Sequence, residues 1–181
     1  MDFMSDSLTD GRKLLVFNAL DDCNRETQAI DAVLSLPAKA VIETMNRLKD
    51  EIGIPKYVRF NNGPELISRT FMNWFKKIYL EIKNTQQGKP IQNGYIEQFN
   101  HFFREEILDA YYFNDIYQLQ KISDNWQEDY NFNHPHKSLD NISPKEFKPR
   151  FDEEFKFFIK SGLNNNYLSN LEVSLEVKPT K

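Results

Sequence analysis

The chain has 181 residues, a formal net charge of −4, 40% hydrophobic residues and 14% aromatic residues, fifteen of them Phe. That suits one domain with a substantial core, or a domain with an appendage. The single cysteine, Cys23, excludes an internal disulfide framework and a cysteine-based zinc site. No apolar run approaches the length that spans a bilayer, and Met1-Asp2-Phe3 lacks a signal-peptide layout, so a cytoplasmic α/β domain is expected. The acidic balance argues against non-specific nucleic-acid binding by the whole surface while leaving room for a local basic groove.

Met1 to Met4 reads as a strand already under way at the first residue. Ser5 to Arg12 reads as a hairpin turn into Lys13 to Leu20 (KLLVFNAL), a buried-strand pattern, and Gln28 to Leu34 is a weaker third strand. Between them, Asp21-Asp22 with Asn24 and Arg25 fits a solvated turn better than a metal pair. Ser35 caps, and Pro37 enters, a helix whose stripe is Val41, Met45, Leu48 and Ile52, closed by Gly53 and Pro55. Tyr57, Val58 and Phe60 form a short strand that breaks at Asn62-Gly63-Pro64. A helix carrying Phe71, Trp74, Phe75 and Ile78 follows. Asn61 therefore stands at the carboxyl end of a strand, where an α/β sheet presents its chemistry.

A strand around Leu80 to Lys83 precedes Thr85 to Gly94 (TQQGKPIQNG), whose glycines, proline and amides predict a mobile surface loop. The helix expected from about Gln92 to Leu108 turns Ile96, Phe99, Phe103 and Ile107 to the core. It places Glu97, His101 and Arg104 at i, i+4 and i+7 on its opposite side. Alone, such a line is ordinarily a salt-bridged solvent face. Asp115 to Phe132 forms a further amphipathic helix with Ile116, Leu119, Ile122, Trp126 and Tyr130 on one side. It ends at Asn133-His134-Pro135-His136, a helix-terminating turn rather than a metal pair, because no third ligand has suitable spacing. Ser143-Pro144 starts a short helical turn. Beyond it, Phe151, Phe155 and Phe158 suggest a helix broken at Asn164-Asn165-Asn166. The alternation of Leu171, Val173, Leu175 and Val177 with polar residues predicts a strand that extends a sheet edge or pairs with another chain.

Three ordered segments carry a resemblance: VRFNNGPELIS, QGKPIQNGYIEQFN and DYNFNHPHKSLDNISPKEF, with MDFMSDSLTDGRKLLVFNALDDCNRE at the start. They resemble the integrase-type insertion-sequence transposases of the "IS-three" group, from Met1 to about Pro149. The resemblance implies an α/β, ribonuclease-H-like fold, a mixed five-stranded sheet flanked by helices. It implies an integrase-like catalytic core over residues 1–149, truncated at its N-terminus, and a C-terminal helix/strand appendage over 150–181. It also implies DNA transposition by metal-dependent phosphoryl transfer. Three carboxylates hold two Mg2+ or Mn2+ ions, which activate a water or a DNA 3′-hydroxyl and steady the leaving oxygen. Carried over residue by residue, Asp2, Asn61 and Glu97 fill the catalytic, metal-binding positions, and Lys89, Asn93, His101 and Arg104 face DNA.

This chain departs from the pattern at position 61, where Asn replaces the second carboxylate. Its oxygen still accepts a metal contact but brings no charge, and ligand charge is a main lever on affinity. His101 and His134 stand where the family usually has basic residues, and Gln87 where it has Pro. The resemblance therefore implies a transposase core impaired in this copy. The alternative is a non-catalytic remnant, or a fragment that binds DNA or an intact transposase and interferes with it; a nuclease of another role is a third reading. The implied partners are transposon-end and target DNA, a homo-oligomer and an upstream-frame DNA-binding protein, with no membrane.

Overall fold

A computed structural model of the chain describes residues 1–34, 38–55, 57–60, 69–78, 81–84 and 94–148. Three strands, β1 (Asp2–Ser7), β2 (Lys13–Leu20) and β3 (Thr27–Val33), form an antiparallel meander in the order β1-β2-β3. β1 continues to Ser7, so the turn starts later than the Ser5 expected from composition. The apolar run of β2 holds its partner in register from Asp2↔Asn18 to Ser7↔Lys13, while Ser5 and Ser7 face outward. The turn itself needs Gly11, whose φ is 84°. Asp10 fixes it by accepting from the Arg12 backbone at 3.0 Å and from Arg12 Nε at 2.7 Å.

β2 is buried on both faces, which is why its sequence is continuously apolar. Phe17 and Ala19 face one core with Val41, Met45 and Leu48 of α1 (Ala38–Ile52) and with Phe71 and Phe75 of α2 (Arg69–Lys77). Leu14 and Val16 face a second core with Ile96, Phe99 and Phe103 of α3 (Gly94–Phe103) and Leu119 and Tyr130 of α4 (Ile116–Asn133). The result is helices on both faces of the strands. In α1, Thr44 is the further inward residue, its hydroxyl on the Asp31 carboxylate. Ile52, expected in the stripe, is 48% exposed: the stripe runs one turn beyond the surface it packs against.

β4 (Tyr57–Phe60) and β5 (Glu81–Asn84) pair in parallel on either side of α2. Phe60, Phe71 and Phe75 lock α2 to β4 through edge-on rings with centroids 4.6 to 5.6 Å apart. The five expected strands are present, but among the described residues they form a three-stranded ladder and a separate two-stranded one rather than one continuous sheet. The Met1 nitrogen donates to the Arg59 carbonyl at 2.9 Å, and the Arg59 side chain reaches Asp22 at 3.1 Å, so both bonds tie β4 to the three-stranded ladder.

α3 runs into a π-helical turn, Arg104–Leu108, where the Asp109 amide bonds back to the Arg104 carbonyl at 2.8 Å. Asp115 then caps α4 rather than opening it, accepting from the Gln118 amide at 2.9 Å. α4 covers the free edge of β3 with amide side chains. Gln120 bonds the Ala32 amide and the Ile30 carbonyl, each at 2.8 Å. Asn131 bonds both backbone groups of Thr27 at 2.9 Å, and Gln127 reaches the same carbonyl at 3.0 Å. An edge that would otherwise template pairing with another chain is thereby closed. Residues 149–181, including the expected C-terminal helix and strand, lie outside the described residues.

Candidate active site

Asp2 enters the site from the start of β1, beside Asn18 of β2 in the strand register. Asn18 is completely buried, an amide on the otherwise apolar face that β2 turns to α3. It is held by Asn100 of α3: Asn18 Nδ2 donates to Asn100 Oδ1 at 2.8 Å, and Asn100 Nδ2 donates to Asp2 Oδ2 at 2.8 Å. A carboxylate is acceptor-only, so Asn100 must turn its NH2 to Asp2 and its oxygen to Asn18. The chain Asn18–Asn100–Asp2 thus has a single polarity and fixes the carboxylate against the helix.

Glu97 is three residues before Asn100 on α3, one helical turn away. It is exposed and sits in the first turn of the helix, where the dipole favours an anion. The Asn100–Asp2 bond therefore joins the strand carrying one expected carboxylate to the helix carrying another. His101 Nε2 lies 3.4 Å from Glu105, both exposed. Arg104 is turned back onto β1: Nη2 donates to the Ser5 carbonyl at 3.0 Å, and Nη1 lies 3.9 Å from Asp6 and 3.5 Å from Asp109. Glu97, Asn100 and Arg104 occupy the flank of α3 beside β1 rather than the side diametrically opposite the core. Asn61, Lys89 and Asn93 lie outside the described residues.

Among the described residues no three His, Cys, Asp or Glu side chains come close enough to hold a metal ion. Asp2 and Glu97 supply hard anionic oxygen of the type a magnesium ion takes.

The other clusters have structural partners. Asp22 pairs with Arg59 at 3.1 Å, and Asp21 caps its own turn by accepting from the Cys23 amide at 2.7 Å. Burial pushes the Asp21 carboxyl above its ordinary range. His134 ends α4, and His136 forms an isolated antiparallel bridge with Ile142, the turn expected from Asn133-His134-Pro135-His136. His134 stacks on Tyr130 at 5.4 Å. Glu26, almost fully buried, is pushed up by burial, but the Lys145 hydrogen bond and the charges of Lys148 and Lys145 hold it below its ordinary value. Sequence reasoning missed Asn18 and Asn100; the one available signal was an amide inside the apolar run KLLVFNAL.

Residues 79–144 match the integrase core domain family. The chain is 35% identical over 149 residues to the 31.7 kDa protein of insertion element IS407 from Burkholderia multivorans, covering 81% of this chain and 53% of the relative. It is 32% identical over 151 residues to the 39.2 kDa protein of insertion element IS476 from Xanthomonas euvesicatoria, covering 83% and 44%. The chain thus spans about half the length of these curated relatives. Among solved structures it resembles the HTLV-2 integrase catalytic core domain in complex with magnesium, with a TM-score of 0.59 and 12% identity over 81% of this chain and 94% of that one. The BIV integrase catalytic core domain gives a TM-score of 0.59 and 14% identity over 86% and 96%.

The α/β architecture with helices on both faces is therefore that of the integrase catalytic cores. Residues 79–144 are similar to the integrase core domain family, and about four-fifths of the chain is similar to part of these insertion-element proteins.

Proposed function

We propose that this chain is the catalytic-core portion of an insertion-sequence transposase of the "IS-three" group, acting on DNA by phosphoryl transfer and impaired by Asn61. The observation that carries this reading is the Asn100–Asp2 bond, which holds the first carboxylate to the helix bearing the third. Asp2 and Glu97, with the amide oxygen of Asn61, are the residues that would hold a divalent metal. When bound, the metal neutralises charge at the phosphate being transferred. The chain's own residues position the site: Asn100 fixes the rotation of the Asp2 carboxylate, and Asn18 fixes the amide of Asn100. Lys89 and Asn93 are assigned to DNA contact by their match to the family motif, and His101 by its place one turn beyond Glu97, where the family usually has a basic residue.

The Met1–Arg59 bond supports a single sheet of order β3-β2-β1-β4-β5 in the assembled core. Residues 1–149 form the catalytic unit and 150–181 an appendage. Transposon-end and target DNA, further copies of the chain and an upstream-frame DNA-binding protein are the proposed partners. A second reading, a non-catalytic fragment that binds DNA or an intact relative, is favoured by one residue, Asn61.

The test is a magnesium- and manganese-dependent nicking and strand-joining assay on the natural chain beside Asn61→Asp. The expected outcome is activity in the Asp variant and little in the natural chain. Equal activity in both would refute impairment. Activity in neither would favour the non-catalytic reading.

A further inference from the structure

Arg25 is 8% exposed, although its guanidinium pairs with no carboxylate among the described residues. It occupies the turn between β2 and β3 at a φ of 61°, with its amide on the Asp21 carbonyl at 3.0 Å. That left-handed backbone is uncommon for a residue with a side chain. Its Cζ lies 3.3 Å from the centroid of the Tyr95 ring, and its Nε and Nη1 have no hydrogen-bond partner. The neighbouring Glu26 does not serve it, being taken by Lys145, Lys148 and Asn24.

His136 also holds a buried, partnerless nitrogen, Nε2, and the Arg25 charge is felt at both His136 and Tyr130. Of the four buried side-chain polar atoms without a partner among the described residues, three therefore lie in this one cluster. Such groups are rare enough in folded proteins to call for a physical explanation. The ring of Tyr95 recovers only part of the solvation a guanidinium loses on burial. A trapped water would satisfy the hydrogen bonds and leave the charge. The carboxylates of the same turn are engaged elsewhere: Glu26 by Lys145 and Lys148, Asp21 by the Cys23 amide and Asp22 by Arg59. What the cluster lacks is an oxyanion.

We infer that Arg25 is the base of a phosphate-binding site, covered in this structure by Tyr95 and opened when that ring swings aside. Tyr95 is 42% exposed in the first turn of α3, and its ring lies directly over the guanidinium. It projects from the flank of α3 that faces away from Glu97 and β1, the flank on which Phe102 meets His134 at 5.4 Å. The site is thus distinct from the carboxylate site. It would grip a nucleic-acid backbone phosphate as the strand crosses the helix, a contact guanidinium geometry favours. Assigning the phosphate to nucleic acid rests on the proposed function; the oxyanion site does not.

The experiment compares the natural chain, Arg25→Gln and Tyr95→Ala by thermal unfolding in inorganic phosphate against chloride at matched ionic strength, and by binding to a fluorescent DNA duplex across a salt series. Phosphate is expected to raise the melting temperature of the natural chain and of Tyr95→Ala, the latter at lower concentration, and to leave Arg25→Gln unmoved. Duplex affinity should fall about tenfold in Arg25→Gln, with the salt dependence reduced by about one phosphate. A phosphate response that survives in Arg25→Gln, or is missing from both the natural chain and Tyr95→Ala, overturns the site. A phosphate response with unchanged duplex binding overturns its assignment to nucleic acid, leaving a free-phosphate site, while strand joining separately decides the proposed function. Should Arg25→Gln fail to fold, the shift of Tyr95→Ala relative to the natural chain decides alone.

Discussion

Asn100 donates to Asp2 at 2.8 Å across a sequence separation of 98 residues, and the same amide accepts from Asn18 at 2.8 Å. Both ends of the side chain are thus engaged, and the Asp2 carboxylate is held from one side by a group that cannot rotate without stranding Asn18. Asn100→Ala should cost about 1–3 kcal/mol of stability, because Asn18 loses its donor's partner in a buried setting. In an Asn61→Asp background it should also lower strand joining more than tenfold. Asn100→Asp should be worse for the reaction than for the fold, since a second carboxylate against Asp2 disfavours ionisation of the pair. Urea unfolding beside the joining assay checks this; undiminished joining in Asn100→Ala would refute the positioning role.

Arg104 and His101 separate two effects that their shared helix face confounds. Arg104 donates to the Ser5 carbonyl at 3.0 Å from a partly exposed side chain, so Arg104→Met should destabilise the chain by about 0.5–1.5 kcal/mol. His101 is exposed beside Glu105 and the ring of the adjacent Phe102, and His101→Ala should change stability by less than about 0.5 kcal/mol. A loss of DNA affinity in His101→Ala would therefore report contact directly. The same loss in Arg104→Met has to be read against its unfolding curve.

How much of this was legible depended on how local each cause was. Lys13–Leu20 was readable to the residue because both faces of β2 are buried and the run is continuously apolar. The end of β1 was misread because Ser5, Asp6 and Ser7 look like turn residues until the ladder with β2 is known. Asp2 and Glu97 were expected from the family resemblance, whose motifs are local in sequence. Asn18 and Asn100 carried no such signal: each becomes meaningful only when a strand and a helix 82 residues apart are brought together. Arg25 looked like a solvated turn residue, and only the packing of Tyr95 over it reveals a buried charge.

The amide seam between α4 and β3 makes a second separation testable. Asn131 satisfies the Thr27 amide and carbonyl, and Gln120 does the same for Ala32 and Ile30. Removing Asn131 leaves the Thr27 amide unpaired while Gln127 keeps the carbonyl, and removing Gln120 strips its bonds from the Ala32 amide and the Ile30 carbonyl. Asn131→Ala should cost about 2–3 kcal/mol, and Gln120→Ala, at a partly buried site, about 1–2 kcal/mol. The two lie about 16 Å apart along the helix, so the double variant should show close to the sum. Because β3 is then uncovered, the double variant should also associate at high concentration. Denaturant titrations with light scattering measure both; a strongly sub-additive double variant would show that the seam is not two independent clamps.

His136 supplies a pH dependence whose sign follows from its setting. Burial, together with the charges of His134 and Arg25, lowers its pKa from 6.5 to about 4. Tyr130 packs against the ring at 4.9 Å and offers no charge to offset this, since burial raises its own pKa. The folded chain therefore keeps His136 neutral while the unfolded chain protonates it near pH 6.5. The unfolded state binds more protons in that interval, so stability is fully present above about pH 6.5 and declines as the pH falls toward about 4. Replacing the ring with an amide that does not titrate removes this contribution. His136→Gln should lose less stability than the natural chain between about pH 7 and about pH 5, even if it is less stable at the higher value. Urea unfolding at the two pH values gives the comparison directly. Equal losses in the two chains would mean that His136 is protonated within the fold, and the cluster of Arg25, His134 and His136 would then have to carry one more positive charge than its geometry accommodates.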